Sequence, residues 1–262
     1  MPDLNTHQKM AVKALENLQE ICDRYGLKLY LLAGTVLGAV RHKGMIPWDD
    51  DIDVGLTYED WWQLRSVLTN ELDACFEYVD YDNTPGFPRL FGKILYEKQN
   101  CIDVFLIAKW TNSKVFGNVH WQIKRFAYEF YKFSLGYTTP QRPNITQKQL
   151  HHAIRVRRFR YFLYLLTKPF CNTESYIKMA KWNEKYYESR KYDCYINLYS
   201  IYKMEKERIK KEWIENTSLV EFEGKNYTTV GDTDAYLTHL YGDYMTPPPI
   251  DQRVGSHSEE FN

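Results

Sequence analysis

The stretch Pro47-Trp48-Asp49-Asp50-Asp51-Ile52-Asp53-Val54 decides how the rest of the chain is read. Side chains alternate between the two faces of a strand. Asp51 and Asp53 therefore point one way, while Ile52, Val54 and Leu56 point into a core. Four Asp within five positions repel one another. Two unit charges about 4 Å apart cost about 1 kcal/mol in water and about 4 kcal/mol at an effective dielectric near 20. A divalent cation turns that repulsion into ligation, and an all-oxygen donor set selects Mg2+ or Mn2+ over zinc. A calcium loop would need Gly at the sixth position from Asp49, where Val54 stands. For Asp49 and Asp50, capping of a solvated turn stays open as the alternative to a role in the site.

Working upstream, Leu27 to Ala33 is expected to be a buried strand, broken at Gly34-Thr35, with Val36 to Arg41 a short helix or turn. Gly34 lets a phosphate approach the backbone, and Thr35 offers a hydroxyl and an N–H at a helix start. An ordinary turn would carry the same pair. Arg41, His42 and Lys43 set cations beside the acids, suited to phosphates or simply to balancing the Asp run. Residues 6–25 predict an amphipathic helix, with Ala11, Ala14, Leu15, Leu18, Cys22 and Tyr25 at helical spacing and Gly26 as the stop.

Downstream, Ile52 to Leu56 predicts a strand. Thr57 and Asp60 resemble a capping box opening a helix to about Leu72. Further strands are expected at Phe76–Tyr81, Phe91–Glu97 and Ile102–Ile107. Asp103 is one carboxylate inside the last of these. A charge there must be paired, bound to metal or raised in pKa. Ligation of the same cation as Asp51 and Asp53 is one solution, and a buried salt bridge with Lys93 is the other.

Three regions follow. Residues 1–109 mix strands and helices as an α/β (α+β) core, the expected catalytic part. Residues 110–203 are helical in pattern, basic and rich in aromatics, with a loop at Tyr137–Asn144. Residues 204–262 form a C-terminal segment expected to pack back on the core, with a turn at Glu223-Gly224-Lys225-Asn226, a helix near Asp232–Leu240 and a Pro-rich tail. Within the middle region His151 to Lys168 carries Arg155, Arg157, Arg158 and Arg160 among Phe159, Tyr161, Phe162, Leu163 and Leu165. It suits either peripheral contact with an anionic membrane or an ordinary helix with a solvated basic face.

Lys plus Arg equals Asp plus Glu at 34 each, which argues against nucleic acid as the main partner. The five Cys are odd in number and lack a C-x-x-C spacing, so neither a disulfide framework nor a zinc knuckle is expected. The first ten residues are polar, with no apolar signal segment, and Leu29 to Val40 is too short to span a bilayer. The expected location is the cytoplasm, at most against the inner face of the membrane. Aromatics reach 16%, including 22 Tyr and 7 Trp, a supply suited to sugars or quaternary amines as well as to packing.

Ala33-Gly34-Thr35-Val36-Leu37-Gly38-Ala39-Val40-Arg41-His42-Lys43-Gly44, running on through Ile46-Pro47-Trp48 to Asp53, resembles the signature of LicD-type proteins. These include bacterial phosphocholine transferases and, more distantly, fukutin-like phosphotransferases. Phe222-Glu223-Gly224-Lys225, Tyr236-Leu237, Tyr241-Gly242-Asp243-Tyr244-Met245, Pro247-Pro248, Arg253 and His257 follow in the family's order. Residues from about 110 to 200 match no motif.

The resemblance implies a nucleotidyltransferase-like fold and transfer of phosphocholine from CDP-choline to a cell-surface glycan precursor, of teichoic acid or lipopolysaccharide type. It assigns the Asp-x-Asp ligands to Asp51 and Asp53, the later strand Asp to Asp103, and the Gly-Ser element to Gly34-Thr35. Thr replaces Ser there, and the gap to Asp51 is a little long for the wider fold. The expected reaction is in-line attack of a glycan hydroxyl on the choline-bearing phosphorus, with CMP leaving. Asp103 would take the acceptor proton, and Arg41 and Lys43 would steady the diphosphate. Trp48 offers an aromatic face to the trimethylammonium group. Arg253 and His257 reach the site from the tail or hold the tail in place. Transfer of ribitol phosphate, glycerol phosphate or a nucleotide is the first alternative, and a non-catalytic binding protein the second.

Overall fold

Asn5 starts helix α1 (Thr6–Tyr25) through a capping box with Gln8, and Gly26 ends it in the left-handed conformation at φ 66°. The computed structural model to which these elements belong describes residues 4–137, 147–200, 202–250 and 253, with the backbone alone for 147–152. Ala11, Ala14, Leu15, Leu18, Ile21 and Cys22 of α1 are buried at helical spacing. Tyr25, expected on that face, is exposed instead and donates its hydroxyl to Glu71.

The chain continues through β1 (Tyr30–Leu31), α2 (Ala33–His42), β2 (Ile52–Thr57), α3 (Tyr58–Glu71), β3 (Phe76–Val79), β4 (Gly92–Tyr96) and β5 (Gln99–Trp110). The strands lie side by side in the order β1-β2-β5-β4-β3. β2 and β5 run parallel, whereas β1 with β2, β4 with β5 and β3 with β4 are antiparallel. Two expectations change here. The strand expected over Leu27–Ala33 shrinks to two residues, because α2 already begins at Ala33. Gly34 and Thr35 thus belong to the first turn of a helix, where a helix start tolerates Gly that its interior would not. The capping box expected at Thr57 does not form: Thr57 makes no side-chain cap bond, and Asp60 accepts from the Lys28 N–H.

The middle region supplies α4 (Lys114–Ser134), α5 (Gln147–Thr167) and α6 (Thr173–Lys185). The expected loop at Tyr137–Asn144 lies outside the described residues beyond Tyr137. Then comes β6 (Cys194–Asn197), a strand that no periodicity announced. It pairs antiparallel with Ile107–Trp110 of β5, so the helical region also feeds the central sheet. After α7 (Met204–Glu207), β7 (Arg208–Lys210) pairs with β6, and α8 (Lys211–Glu215) follows. A two-stranded ribbon, β8 (Ser218–Phe222) and β9 (Lys225–Thr229), turns at Glu223-Gly224, and α9 (Thr233–Tyr241) closes the described order.

This C-terminal part returns to the site. Thr229 donates its hydroxyl to the Leu31 carbonyl, and Glu223 accepts from the Met45 N–H at 2.8 Å. The architecture is a curled mixed sheet flanked by helices, an α+β fold. One continuous core joins α1, the sheet, α4–α6 and the C-terminal elements.

Candidate active site

The parallel pairing of β2 with β5 puts Asp53 directly beside Asp103, and the antiparallel pairing of β4 with β5 puts Lys93 on the other side of Asp103. Acid, acid and base therefore form one row across one face of the sheet. Asp51 joins the row from the start of β2. One oxygen from each of Asp51, Asp53 and Asp103 lies within 4.8 Å of the others. Asp51 and Asp103 are buried, at 8% and 4% exposure, while Asp53 is half-buried and opens the group to solvent. Oxygens of Asp49, Asp50 and Asp51 form a second group of the same spread.

Both readings of Asp103 hold at once. Lys93, 1% exposed, sits 2.9 Å from one Asp103 oxygen, and that carboxylate still belongs to the acidic group. Asn100 reinforces the row: its amide donates to Asp51 at 3.1 Å and to Asp103 at 2.8 Å. The loop that carries the acids is clamped from α1. Gln8 donates to the carbonyls of Asp49, Ile46 and Pro47, and His7 Nε2 lies within hydrogen-bond distance of the Asp50 and Asn100 carbonyls.

Helix α2 begins against the same carboxylates. A Cβ added at Gly34 would lie in ordinary contact with the acids, 3.4 Å from Asp49 Oδ2 and 3.7 Å from Asp53 Oδ2, so the glycine leaves a methyl-sized gap against these carboxylates. Ala33 holds a φ of 43°, a strained value for a residue with a Cβ, and donates its N–H to the Tyr236 hydroxyl. Thr35 is buried, and its hydroxyl accepts from the Asp53 N–H at 2.7 Å, which ties α2 to the acidic strand.

The remaining sequence-predicted residues fall into two places. Arg41 and Arg253 both lie over the Trp48 ring, at 5.8 and 4.9 Å from its centroid. His42 meets the same ring edge-on. Burial lowers the Arg41 pKa, and the neighbouring Arg253 lowers it further. Arg41 also donates to the Tyr244 carbonyl, and Arg253 to that of Pro248. Lys43 is exposed at the far end of α2, about 14 Å along the helix axis from Gly34 at 1.5 Å per residue. His257 lies outside the described residues.

Trp61 and Tyr81, the other aromatics near in sequence, are buried and stack on the Arg65 guanidinium together with Trp62. A different aromatic pair lies within electrostatic reach of the acids. The rings of Tyr202 and Tyr241 stand at 81° with centroids 6.3 Å apart. Burial raises the Tyr202 hydroxyl pKa, and the nearby charges of Asp53, Glu207 and Asp49 add to that rise. Sequence reasoning missed Asn100, His7, Gln8 and Tyr202, and it noted Tyr241 only as part of the C-terminal motif. Each lies tens of residues away from Asp51 along the chain, and no local pattern links them.

The donor set contains only carboxylate oxygens, converges from two paired strands and borders the gap left by Gly34. These features fit a hard ion such as Mg2+ or Mn2+ better than zinc, which favours sets rich in nitrogen and sulfur.

Comparison with known proteins finds similarity in the part of the chain that carries these residues. Residues 26–143 match the family model described as LicD/FKTN/FKRP, nucleotidyltransferase domain. The sequence is 26% identical to the lipopolysaccharide cholinephosphotransferase LicD of Haemophilus influenzae, over 98% of this chain and 97% of that protein. It is 31% identical to an uncharacterized protein of Rickettsia prowazekii, over 46% of this chain and 42% of that protein. It is 26% identical to the human ribitol 5-phosphate transferase FKRP, over 42% of this chain and 22% of that protein.

Proposed function

The chain carries a LicD-family domain, and from that premise we propose that it transfers phosphocholine from CDP-choline to a cell-surface glycan precursor of lipopolysaccharide or teichoic acid type. The observation that carries this reading is the convergence of Asp51, Asp53 and Asp103 within 4.8 Å on one sheet face. Near full-length similarity to a cholinephosphotransferase supports the cargo.

Asp51, Asp53 and Asp103 would hold the divalent ion. When bound, such an ion neutralises the diphosphate oxygens and eases the departure of CMP. Gly34 leaves the diphosphate room to approach the backbone at the start of α2, where helix N–H groups favour anions. Thr35 ties the start of α2 to the backbone of Asp53, and Asn100 holds the carboxylates of Asp51 and Asp103 in place. Asp103 accepts the proton of the attacking glycan hydroxyl in this scheme.

Arg41 and Arg253 set two positive charges over Trp48, beside the acids in sequence. That corner suits donor phosphates and repels a trimethylammonium group. Choline goes instead to Tyr202 and Tyr241, whose perpendicular rings, within electrostatic reach of Asp53, offer faces to a quaternary amine. Lys43, at the outer end of α2, and His257 remain contacts for donor or acceptor in this proposal.

The test is a panel of CDP-choline, CDP-ribitol, CDP-glycerol and nucleoside triphosphates, with release of CMP or pyrophosphate measured. CDP-choline is expected to be turned over at least about tenfold faster than the rest, a selectivity of about 1.4 kcal/mol. Tyr202→Ala should raise the KM for CDP-choline while leaving CDP-ribitol turnover unchanged. Equal turnover of all CDP donors would contradict the cargo assignment.

A further inference from the structure

Helix α5 presents its apolar side chains outward. Its inner face is already occupied: Tyr161 and Tyr164 pack on Phe133 of α4, and Arg157 lies over the same ring. Arg157 and Arg160 turn inward to Glu129 of α4. On the opposite side Phe159, Phe162 and Leu166 are 62%, 56% and 57% exposed, and Phe170 in the following turn is 87% exposed. An ordinary solvated helix hides its Phe and Leu and exposes its Arg. Here the reading of a solvated basic face fails, because the outward surface is chiefly apolar. Exposed apolar residues scattered singly need no explanation, but a contiguous group of this kind marks a contact surface.

Charge identifies what it contacts. From Phe130 to Thr173 the sequence contains no Asp or Glu against eight Lys and Arg, in a chain whose formal net charge is +0. Arg155 and Arg158 lie on the outward face of α5 with the Phe and Leu side chains, and exposed Lys168 stands just before Phe170. A second copy of this face would meet it cation against cation, which opposes self-association. A chain of formal net charge +0 lacks the overall basic excess of a nucleic-acid binder, and exposed Leu165 and Leu166 add aliphatic surface that suits acyl chains better than bases. Phe and Leu flanked by Arg and Lys match a bilayer interface with anionic headgroups. Among the described residues no helix is long and apolar enough to cross a membrane, so α5 would lie on the surface rather than span it.

We infer that the outward face of α5 and the turn to Phe170 dock the protein on an anionic phospholipid surface. The face is coupled to the acidic site through two packed elements. α5 rests on α4, and Tyr131 of α4 donates its hydroxyl to the Phe87 carbonyl in the segment that enters β4, the strand of Lys93. Docking itself does not depend on the proposed reaction. Its use, to bring the site to a lipid-linked glycan, rests on that reading.

The test is co-sedimentation of the full chain with vesicles of 70% phosphatidylcholine and 30% phosphatidylglycerol, and with phosphatidylcholine alone. The wild type should bind the anionic vesicles and release them at high salt. The double variant Arg155→Glu with Arg158→Glu should bind about 30-fold more weakly, on the scale of each basic residue's contribution near such a surface. Phe162→Ser with Leu166→Ser should bind about tenfold more weakly. Arg155→Lys with Arg158→Lys should bind as wild type, which separates charge from misfolding. Wild-type binding absent, equal on neutral vesicles or unchanged in the Glu variant would overturn the inference. So would a dimer, seen by sedimentation velocity, that Phe162→Ser with Leu166→Ser dissolves. Binding is read without donor or acceptor, so its failure leaves the transfer reaction untouched. Loss of CMP release in a soluble assay would equally leave the membrane inference standing.

Discussion

At the β2–β5 seam three carboxylates crowd within 4.8 Å, held by Lys93 and Asn100. In the α4–α6 layer buried charges instead stand apart, each beside aromatic groups. Lys124 lies 3.9 Å from the centroid of the Trp121 ring, and Glu184 accepts from the Tyr199 hydroxyl. Burial pushes Lys124 down to about 7 and Glu184 up to about 7, so each is only about half ionised near neutral pH. The helical layer thus lowers the cost of its buried charges by shifting them toward their neutral forms. The seam gathers like charges and surrounds them with donors, an arrangement that suits the proposed cation better than it suits stability.

The comparison breaks if the two regions respond alike to substitution. Asp53→Ala should lower transfer about a thousandfold, by removing a ligand from the site that stabilises transition-state charge. Its thermal stability should hold or rise, because one of several mutually repelling charges is gone. Stability and activity lost together would mean that the seam is structural, as the helical layer is. Lys93→Met should cost about 3–5 kcal/mol of stability, because it removes the partner of a buried carboxylate. A denaturation midpoint within error of wild type would show that Asp103 does not rely on that pair.

The pH dependence sharpens the contrast. Glu184 has its folded pKa raised from the ordinary value of 4.5 to about 7, first by burial, with the Tyr199 hydrogen bond opposing that rise. Between these values the unfolded chain has released a proton that the folded chain retains. Folding stability from this group is therefore full below about pH 4.5 and falls as pH rises toward 7. Glu184→Gln should remove up to about 3 kcal/mol of that decline, read as a flatter melting temperature from pH 4.5 to 7. An unchanged slope would show that this carboxyl titrates normally. The smallest effect is expected at Asn100. Its replacement by Ala should weaken Mn2+ binding about 10- to 100-fold, as loss of groups that orient metal ligands does elsewhere. Undiminished affinity would reduce Asn100 to a packing residue.

The seam was largely legible in the sequence because its signal is local. Asp53 between Ile52 and Val54, and Asp103 between Ile102 and Val104, are single charges in apolar strands, and alternation fixes their face. Lys93 between Gly92 and Ile94 carries the same signal, and it emerges in the structure as the partner of Asp103. Strand order was not legible: the sequence placed both acids on strands, but only pairing made Asp53 and Asp103 neighbours. Asn100, His7 and Gln8 look ordinary in their local sequence and act only through contacts made by the folded chain.

The helical half was legible as helix and obscure in its packing. Its abundant aromatics fit a core or a surface equally well, so α5 could not be oriented before its contacts with Phe133 and Glu129 were known. β6 is four residues long, too short for alternation to show, and β5 recruits it by pairing. Gly34 and Thr35 mark the end of a strand in the sequence and also fit a helix start, and the structure puts both in the first turn of α2.

The central claim is that one divalent cation is gripped by Asp51, Asp53 and Asp103. A crystal soaked in Mn2+ and measured by anomalous scattering tests it without reference to activity. The account predicts an anomalous peak within bonding distance of all three carboxylates, and its loss in Asp53→Ala. A well-diffracting soaked crystal with no peak there, or with the three side chains turned away from one another, would contradict it.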